Sequence, residues 1–506
     1  MITETTKTPA TTPDAGTTPA PGNTPETAPL TAPETASATA PETAPAGTWS
    51  DLLGRRHRAA ALVLASGVAL YATNEYVTAS LMPSVVRETG GERFYAWVTT
   101  GFLIASVVSS MLVARTLTRW GARTAYTAAF AIFALGSLIN TVAPGMEFIV
   151  AGRVVQGFGG GLLAGFGYAM IRGSLPAHLW AVAAGLVSSM WAVGNIAGPS
   201  LGGVFAELGV WRAAFGAMVL LPLLLALVAR RAMPHRDTDA PGTADPLPWR
   251  SLILLTLTAM AFSLASVAPK GAGTAVGVGA GLVLLLAFVV SERRGTVSVL
   301  PARTYRNGNP LKWVYLAIGA MTAAAMTEMF TPLFGQRLGG LTPLVAGFFG
   351  AVISVGWTTA SLFSVKVASD RVRRAVVGSG LLVLTAGLAA YGALQSADAS
   401  GGRVLLWALA LLLGGAGIGM VFPHMSMAAM SSASTEEEGR QAAAGISTSQ
   451  LIANAVASAL AGILVNLGSP DMVRAAQYMA FGIALVALLG AVAATLSQRS
   501  QETPAA

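Results

Sequence analysis

From residue 59 onward the chain alternates between long apolar stretches and short polar breaks. Each apolar stretch has roughly the 20 residues that a helix needs to cross a bilayer. Because most polar breaks are only a few residues long, consecutive helices are expected to run antiparallel. The pattern predicts an all-α polytopic membrane protein with 14 transmembrane helices, over residues 59–83, 96–117, 123–143, 145–170, 180–206, 211–229, 250–269, 271–291, 310–334, 341–365, 374–395, 402–427, 442–467 and 473–497.

Two polar breaks are longer than the rest, and the N-terminal residues form no apolar stretch. The breaks, 230–249 and 292–309, contain Pro, Gly and Arg and are predicted to be loops. Residues 1–50 consist mainly of Thr, Pro, Ala and Glu, which bury too little apolar surface to offset the entropy lost on ordering. We expect a disordered cytoplasmic tail there. It is not expected to be a signal peptide, because no basic region precedes an apolar core.

Composition supports a membrane location. Hydrophobic residues make up 54% of the chain and charged residues 11%, whereas about 25% of residues are charged in a soluble domain. This excludes a cytosolic enzyme, a secreted module or a disordered protein as the whole answer. The net charge of +8 is explained by the accumulation of Lys and Arg in cytoplasmic loops, so no nucleic-acid partner is expected.

The distribution of basic residues tests the helix count. If the N-terminus is cytoplasmic, most of the 31 Lys and Arg residues fall in cytoplasmic loops. Dropping one helix reverses every later loop and destroys this bias, whereas dropping the pair over 250–291 preserves it. We therefore expect a multi-pass protein of the cytoplasmic membrane with both termini in the cytoplasm. Twelve helices with a hydrophobic insertion remains the alternative.

Several kinds of chemistry are not expected. The chain has no cysteine and only four histidines, none of them paired at metal-ligand spacing, so neither disulfides nor a metal site are predicted. No GxxxxGK[ST] sequence for binding ATP is present. No loop is long enough to form a catalytic domain. The chain is therefore not expected to be an enzyme, and no cofactor is expected.

The two ends of the apolar region resemble each other. The sequence TLTRWGAR (116–123) follows the second predicted helix, and KVASDRVRR (366–374) follows the tenth. Each places a basic cluster after the second helix of a six-helix block. The predicted domains are an N-terminal bundle (51–230), a linker with two inserted transmembrane helices (231–309) and a C-terminal bundle (310–497), followed by a cytoplasmic tail (498–506). A substrate site is expected near mid-membrane between the two bundles.

Small residues recur in the fifth predicted helix, GLVSSMWAVGNIAGPSLGG (185–203). Small residues allow helices to approach closely in lipid, and proline bends a helix. This stretch resembles the fifth-helix signature of the major facilitator superfamily, where it marks exporters of the antiporter type. The matching positions are Gly185, Gly194, Gly198, Pro199, Gly202 and Gly203.

Two further motifs carry the same resemblance. GRVVQGFGGG (152–161) resembles the superfamily's fourth-helix motif through Arg153 and Gln156. The loop after the second helix resembles the cytoplasmic loop motif through Arg119, Gly121 and Arg123, but Thr118 stands where an acidic residue is usual. The second-half copy keeps Asp370 and Arg371. The resemblance implies that these loops and the fifth-helix positions act in gating.

Three charged residues lie inside predicted helices. Glu75, in YATNEYVTASLMP (71–83), follows Asn74, which occupies the position where the drug-exporter motif has its acidic residue. Glu328, in TAAAMTEMFTPLF (322–334), also precedes a proline in the first helix of its half. At about 1.5 Å of rise per residue, Glu75, Glu328 and Arg153 fall at similar depths. Because intramembrane charges are costly and usually functional, we expect Glu75 to pair with Arg153. We also expect Glu75 or Glu328 to exchange a proton.

The motifs and the helix count together resemble the fourteen-helix drug:proton antiporter branch of the superfamily. That resemblance implies two six-helix bundles around a central cavity, export of drugs or related amphipathic molecules by alternating access, and a proton gradient in place of a cofactor. The expected partners are a small-molecule substrate and the lipid bilayer, and the chain is expected to be a monomer. An importer or an exporter of an endogenous metabolite on the same fold remains the alternative. The candidate cavity residues are Tyr71, Asn74, Gln156, Trp191, Asn195, Trp313, Met329 and Trp357.

Overall fold

The computed structural model describes residues 48–233, 248–295, 298–305, 309–367, 369–431 and 436–502, and these residues are predominantly helical. Short 3-10 helices cover Glu92–Phe94, Ala177–Leu179, Ala302–Tyr305 and Met326–Met329. Helices suit the apolar stretches because each one satisfies its backbone hydrogen bonds internally. The α-helices are α1 (Trp49–Leu52), α2 (Arg58–Thr89), α3 (Tyr95–Met111), α4 (Val113–Thr141), α5 (Met146–Ala169), α6 (Ile171–Ser174), α7 (Trp180–Glu207), α8 (Trp211–Ala232), α9 (Trp249–Val267), α10 (Ala272–Arg294), α11 (Leu311–Ala325), α12 (Thr331–Gly339), α13 (Pro343–Gly350), α14 (Val352–Ser364), α15 (Asp370–Ala393), α16 (Gly401–Ser431), α17 (Glu436–Gly468) and α18 (Met472–Glu502).

Among the described residues, 12 helical stretches are long and apolar enough to cross a membrane. They coincide with 12 of the predicted spans. The two remaining predicted spans also form long helices, α2 and α7. These two carry the polar and small residues singled out in the sequence, including Glu75 in α2 and the glycines of α7. The structure thus confirms an all-helical membrane fold, with 12 candidate spans among the described residues.

Several predicted spans are interrupted in the structure. The second span is divided between α3 and α4, with Leu112 between them. The run of α4 is broken at Gly121, whose φ of 72° lies in the left-handed region that favours glycine. This break falls where a loop between the second and third spans was predicted. The ninth span is divided by the 3-10 helix Met326–Met329, which separates α11 from α12.

Most helices pack in two groups, one from each half of the chain, and α9 and α10 come between these groups along the sequence. In the first group α2 packs on α7, and α5 packs on α3 and α4; in the second, α16 packs on α14 and α15, and α18 packs on α15 and α11. The pair α9 and α10 pack against each other, and α9 also contacts α3 and α17. A small apolar cluster of Phe262, Ala265, Ala459 and Ile463 joins α9 to α17.

Large apolar side chains occupy both the interior and the surface. Trp407, Phe130 and Phe215 are fully buried. On the outer faces Val283, Leu286 and many other apolar residues are exposed. A surface of this kind suits lipid rather than water, because a soluble protein rarely exposes contiguous apolar area of this extent.

Candidate functional site

Glu75 and Glu328 both lie in the interior of the helix bundle. Glu75 is near the middle of α2, and Glu328 is in the 3-10 helix between α11 and α12. Each residue is only 8% exposed. Pro332, at the start of α12, helps explain the interruption beside Glu328 because proline favours the first turn of a new helix. A 3-10 stretch inside a long helical run often marks a hinge or a functional site.

The Glu328 carboxylate takes part in a hydrogen-bonded contact between the two groups of helices. The Ser354 hydroxyl on α14 donates to Glu328 Oε2 at 2.9 Å. Ser354 Oγ also lies 3.4 Å from the Tyr76 hydroxyl on α2. Because Tyr76 directly follows Glu75, the contact brings α2 to the Glu328 carboxyl group in the second half.

Glu75 has no hydrogen bond or ion pair within the described part of the chain. Its carboxyl group nevertheless interacts electrostatically with Arg153 and with Glu328. The three charged residues expected at similar depth are therefore near one another. Intramembrane carboxyl groups in such surroundings commonly serve as proton relays in transporters.

The expected ion pair between Glu75 and Arg153 is not formed in this conformation. Arg153 is fully buried on α5, and its Nε donates to the Val98 carbonyl at 3.1 Å. Its Nη1 donates to Gln156 Oε1 at 2.6 Å, and its guanidinium carbon lies 4.1 Å from the centre of the Phe102 ring. These neutral partners hold the guanidinium, while Nη2 has no partner among the described residues.

Gln156 extends the contacts of Arg153 to α4. Gln156 Nε2 donates to Ser137 Oγ at 2.7 Å, and Asn140 Nδ2 donates weakly to Gln156 Oε1 at 3.5 Å. Arg153 and Gln156 therefore tie α3, α4 and α5 together. The same residues that match the fourth-helix motif have a packing role, and the unpartnered Nη2 leaves one donor for a further acceptor.

Aromatic side chains pack one turn before Glu75. Tyr71 on α2 is buried, with its ring centre 5.2 Å from that of Phe102 and 5.8 Å from that of Trp191 on α7. Trp191 is 39% exposed. Because Phe102 also contacts Arg153, this aromatic cluster adjoins the charged residues. Two of the predicted cavity residues, Tyr71 and Trp191, are thus in contact.

The polar and sulfur-containing cavity candidates differ in their surroundings. Asn74 is fully buried, and both of its amide atoms lack a partner among the described residues. Asn195 is partly buried, with its Oδ1 likewise unpartnered. Met329 is buried and accepts a weak hydrogen bond from Ser458 Oγ at 3.6 Å. Asn74 directly precedes Glu75, Met329 directly follows Glu328, and all four residues are buried.

The two remaining candidate tryptophans lie at different depths. Trp357 is one turn after Ser354 on α14, and its ring centre is 5.3 Å from that of Phe422. Trp313 is near the beginning of α11, where Lys312 contacts its ring at 5.4 Å. At about 1.5 Å per residue, Trp313 is about 20 Å along the helical run from Glu328, so the structure does not bring it to the carboxyl groups.

The fifth-helix glycines allow α7 to lie directly against α2. A Cβ atom at Gly194 would lie 2.5 Å from Ala72 Cβ, and one at Gly198 would lie 2.3 Å from Tyr76 Cβ. At Gly202 it would lie 2.7 Å from the Val77 carbonyl oxygen. Gly203 instead approaches Leu344, and Pro199 lies next to Gly347, both on α13. Gly185 differs because a Cβ atom there would meet no other group within 4 Å.

The two loop motifs have different charge patterns. In the first half, Gly121 forms the break in α4, Arg119 is exposed, and Arg123 Nε donates to the Met233 carbonyl at 3.3 Å. In the second half, Asp370 forms an ion pair with Arg373 at 2.7 Å, next to the exposed Arg371. The acidic residue retained in the second half is therefore charge-paired.

The two groups of helices touch most extensively through α7 with α13 and α3 with α17. The Leu344 amide on α13 donates to Glu207 Oε1 at the end of α7, at 3.2 Å. Thr100 Oγ1 on α3 lies 2.9 Å from Ser458 Oγ on α17. These contacts close the end of the bundle at which α2 and α7 finish.

Sequence reasoning missed Ser354, Ser458 and Thr100. Each is a small hydroxyl residue inside an apolar helix, and such residues are common because they bond to the preceding turn of their own helix. Their contacts join residues far apart in the chain. The single available signal was the polarity of each residue within its span.

Comparison with known proteins decides the family. The model of the Major Facilitator Superfamily matches residues 64–457. The chain belongs to the Major Facilitator Superfamily. Probable multidrug-efflux transporters from two strains of Mycobacterium tuberculosis, CDC 1551 / Oshkosh and H37Rv, are 44% identical over 445 residues, which cover 86% of this chain and 94% of each relative. Membership confirms the resemblance found in the sequence, and because the relatives are transporters, the prediction that the chain is not an enzyme is also confirmed.

Solved structures agree on the superfamily fold. A bacterial homologue of the human lysosomal transporter Spinster, in an inward-facing and unoccupied conformation, matches with a TM-score of 0.61 and 14% identity, covering 89% of this chain and 99% of that one. An auto-inhibited peptide transporter of the POT family matches with a TM-score of 0.60 and 16% identity, covering 87% of this chain and 97% of that one. At these identities the likeness concerns the fold alone.

Proposed function

We propose that this superfamily member exports drugs and related small amphipathic molecules across the cytoplasmic membrane in exchange for protons. The observation that carries the proposal is the pair of buried carboxyl groups, Glu75 and Glu328, which come from different halves and interact electrostatically. Glu328 also reaches the first half through Ser354 and Tyr76. The similarity to probable multidrug-efflux transporters supports export of drugs.

The proposed topology has 14 transmembrane helices. In this arrangement α2 and α7 are counted as spans because both are long and lie side by side inside the bundle. The N-terminal bundle covers 51–230 and the C-terminal bundle 310–497, with α9 and α10 inserted between them and both termini in the cytoplasm. Since one chain contains both bundles, the monomer is the proposed transporting unit.

The proposed transport cycle is alternating access. With the termini in the cytoplasm, the end at which Leu344 bonds to Glu207 faces outward, so the described conformation represents a state closed toward the outside. Protonation and substrate must favour opposite-facing states for exchange to occur. A proton on Glu328 changes its bond with Ser354, which lies at the contact between the halves. That contact is where proton binding would influence opening.

The proposed substrate cavity lies around the charged residues. Tyr71 and Trp191 offer aromatic surface to amphipathic or cationic molecules, and Asn74 offers an unpartnered buried amide. Trp357 lies one turn after Ser354 on α14, in the second half of the chain. The further candidates are Gln156, Asn195, Trp313 and Met329, of which Trp313 would be reached near the inner end of α11.

The proposed gating elements are the α7 glycine face and the two loops. Gly194, Gly198 and Gly202 let α7 and α2 move as a closely packed pair, and Gly203 with Pro199 provides the contact with α13. The loop residues Arg119, Gly121, Arg123, Asp370 and Arg371 lie at the opposite end of the helices. Gly185 has no packing restriction there.

The test is substrate-triggered proton flux in proteoliposomes. With a pH gradient imposed, addition of lipophilic antibiotics and dyes is expected to release protons through the wild-type protein. We expect Glu75→Gln and Glu328→Gln each to abolish the coupled flux, because glutamine cannot carry the exchanged proton. Glu147→Gln, at an exposed position in the first turn of α5, is the matched control and is expected to retain the flux.

Three outcomes separate the alternatives. Undiminished flux in both carboxyl variants would remove Glu75 and Glu328 from proton coupling. Proton movement in the same direction as the substrate would favour the importer. Counterflow of an endogenous metabolite, together with no response to any drug, would favour the metabolite exporter.

A further inference from the structure

A groove between α4 and α8 combines three arginines with an apolar wall. The cavity has a volume of about 730 Å³, and its lining includes Arg123, Arg230 and Arg231 near the helix ends. Leu227 on α8 and Ala131 on α4, both apolar, also line it. Among the described residues that line it, none is acidic. The groove is outside the proposed transport site, which lies around Glu75.

The three arginines lie near the neighbouring ends of the two helices. Arg123 Nε donates to the Met233 carbonyl just beyond α8, and the Arg123 carbonyl accepts from Thr127 Oγ1 at 2.8 Å. Arg230 and Arg231 form the last turn of α8 and are exposed. Three guanidinium groups are thereby concentrated around one cavity without a carboxylate from its lining.

The apolar wall continues along α8 away from the arginines. Leu220, Leu224 and Leu227 are 66%, 60% and 55% exposed. Their spacing of four and three residues places them on one helix face, and Arg231 follows on the same face. On α4 the exposed Leu135 extends the wall beyond Ala131. The groove is therefore basic at the helix ends and apolar toward the middle of the helices.

We propose that this groove binds an anionic phospholipid, with the headgroup phosphate on Arg123, Arg230 and Arg231 and an acyl chain along Leu220, Leu224 and Leu227. Arginine binds phosphate oxygens through paired hydrogen bonds. Basic pockets between transmembrane helices bind anionic lipid headgroups. A free phosphate ion accounts for the arginines but not for the exposed leucines that lead to them.

The second half provides a contrast. A smaller cavity of about 270 Å³ lies beside Arg373, Arg374 and His424, but its lining also includes Asp370. Asp370 forms the ion pair with Arg373. A carboxylate in the lining repels phosphate and occupies an arginine. The described lining of the first-half groove contains no carboxylate that could compete with an external anion for Arg123, Arg230 and Arg231.

The test measures lipid retention by the full-length purified protein. Nanodiscs containing equal amounts of phosphatidylglycerol and phosphatidylcholine provide the two lipids, and native mass spectrometry counts those that remain bound. We expect the wild type to retain phosphatidylglycerol preferentially. In Arg230→Gln/Arg231→Gln we expect phosphatidylglycerol retention to fall about fivefold or more, because about fivefold corresponds to one basic residue at a membrane surface. Arg293→Gln/Arg294→Gln, at the end of α10, is the matched control and is expected to retain the lipid.

Three further measurements separate a lipid from a free phosphate ion and a loss of charge from a loss of folding. Leu227→Gln is expected to weaken phosphatidylglycerol retention, because it disrupts the apolar wall and leaves the arginines in place. Arg230→Lys/Arg231→Lys is expected to keep much of the retention, which separates loss of charge from loss of folding. Equal thermal protection by inorganic phosphate and by phosphatidylglycerol would overturn the lipid proposal. Unchanged retention in the Gln double variant would also overturn it.

Discussion

At the scale of single residues, the contact between Ser354, Glu328 and Tyr76 joins the two halves. Ser354→Ala removes the hydroxyl that donates to Glu328 and lies near Tyr76. We expect the variant to lower the free energy of unfolding by about 1 kcal/mol, the net value of one hydrogen bond. The measurement is the unfolding midpoint of the purified protein in detergent.

The control for that variant is Ser200→Ala. The Ser200 hydroxyl donates within its own helix to the Ile196 carbonyl at 2.7 Å, at a partly exposed position. Its removal is expected to change stability little. If Ser354→Ala and Ser200→Ala have equal effects, the contact between the halves contributes no measurable stability.

The sequence could predict the acidic members of the site but not their partners. Glu75 and Glu328 are conspicuous because carboxyl groups are rare inside apolar helices. Ser354 has no such signal, and its partner Tyr76 lies 278 positions earlier in the chain. The ion pair expected between Glu75 and Arg153 is not formed in this conformation, in which Nε and Nη1 of Arg153 donate to the Val98 carbonyl and to Gln156 instead.

At the scale of helices, the glycine face of α7 sets its distance from α2. Gly198→Ala places a Cβ atom 2.3 Å from Tyr76 Cβ. Because overpacking of this kind typically costs about 1–3 kcal/mol, we expect a lower unfolding midpoint together with weaker transport. Gly185→Ala, on the same helix with nothing within 4 Å, is expected to have neither effect. Equal stability of the two variants would show that α7 can shift to accommodate the added methyl group.

The sequence predicted this helix contact only in part. The spacing of Gly194, Gly198 and Gly202 correctly indicated close packing, since small residues at this interval share one helix face. Gly185 belongs to the same motif but meets no neighbouring group. Which helix would be the partner depended on the three-dimensional arrangement, which spacing along one helix does not determine.

At the scale of the whole molecule, closure of one end can be tested by cross-linking. A Cβ atom at Gly347 on α13 would lie 3.2 Å from Ser80 Cβ on α2, near the usual separation in a disulfide of about 3.8 Å. Because the native chain has no cysteine, Ser80→Cys/Gly347→Cys introduces the sole thiol pair. Oxidation is expected to stop transport, and a reducing agent is expected to restore it.

The matched control cross-links two helices of the second half. A Cβ atom at Gly319 on α11 would lie 3.7 Å from Ala453 Cβ on α17. Gly319→Cys/Ala453→Cys is expected to form a disulfide and leave transport intact, because the bond lies within one moving body. Full transport in the oxidised Ser80→Cys/Gly347→Cys protein would contradict closure as a step of the cycle.

The overall architecture was largely available from the sequence. Apolar stretches and the positions of basic residues predicted the helical membrane fold, and 12 of the predicted spans coincide with stretches that meet the length and composition required. The end at which the halves meet was not predictable, because a transporter passes through conformations that share one sequence. Contacts such as the hydrogen bond between Leu344 and Glu207 depend on the conformation, so the pattern of apolar and polar residues does not predict them.

The polar composition of α2 and α7 has a consequence for biosynthesis. α2 is synthesised before α7, and it carries Asn74 and Glu75 near its centre. A central acidic residue costs about 2.5–3.5 kcal/mol during insertion by the translocon. Its closest packing partner, α7, is synthesised several helices later. We therefore expect nascent α2 to remain at the translocon until α7 is made and packs against it.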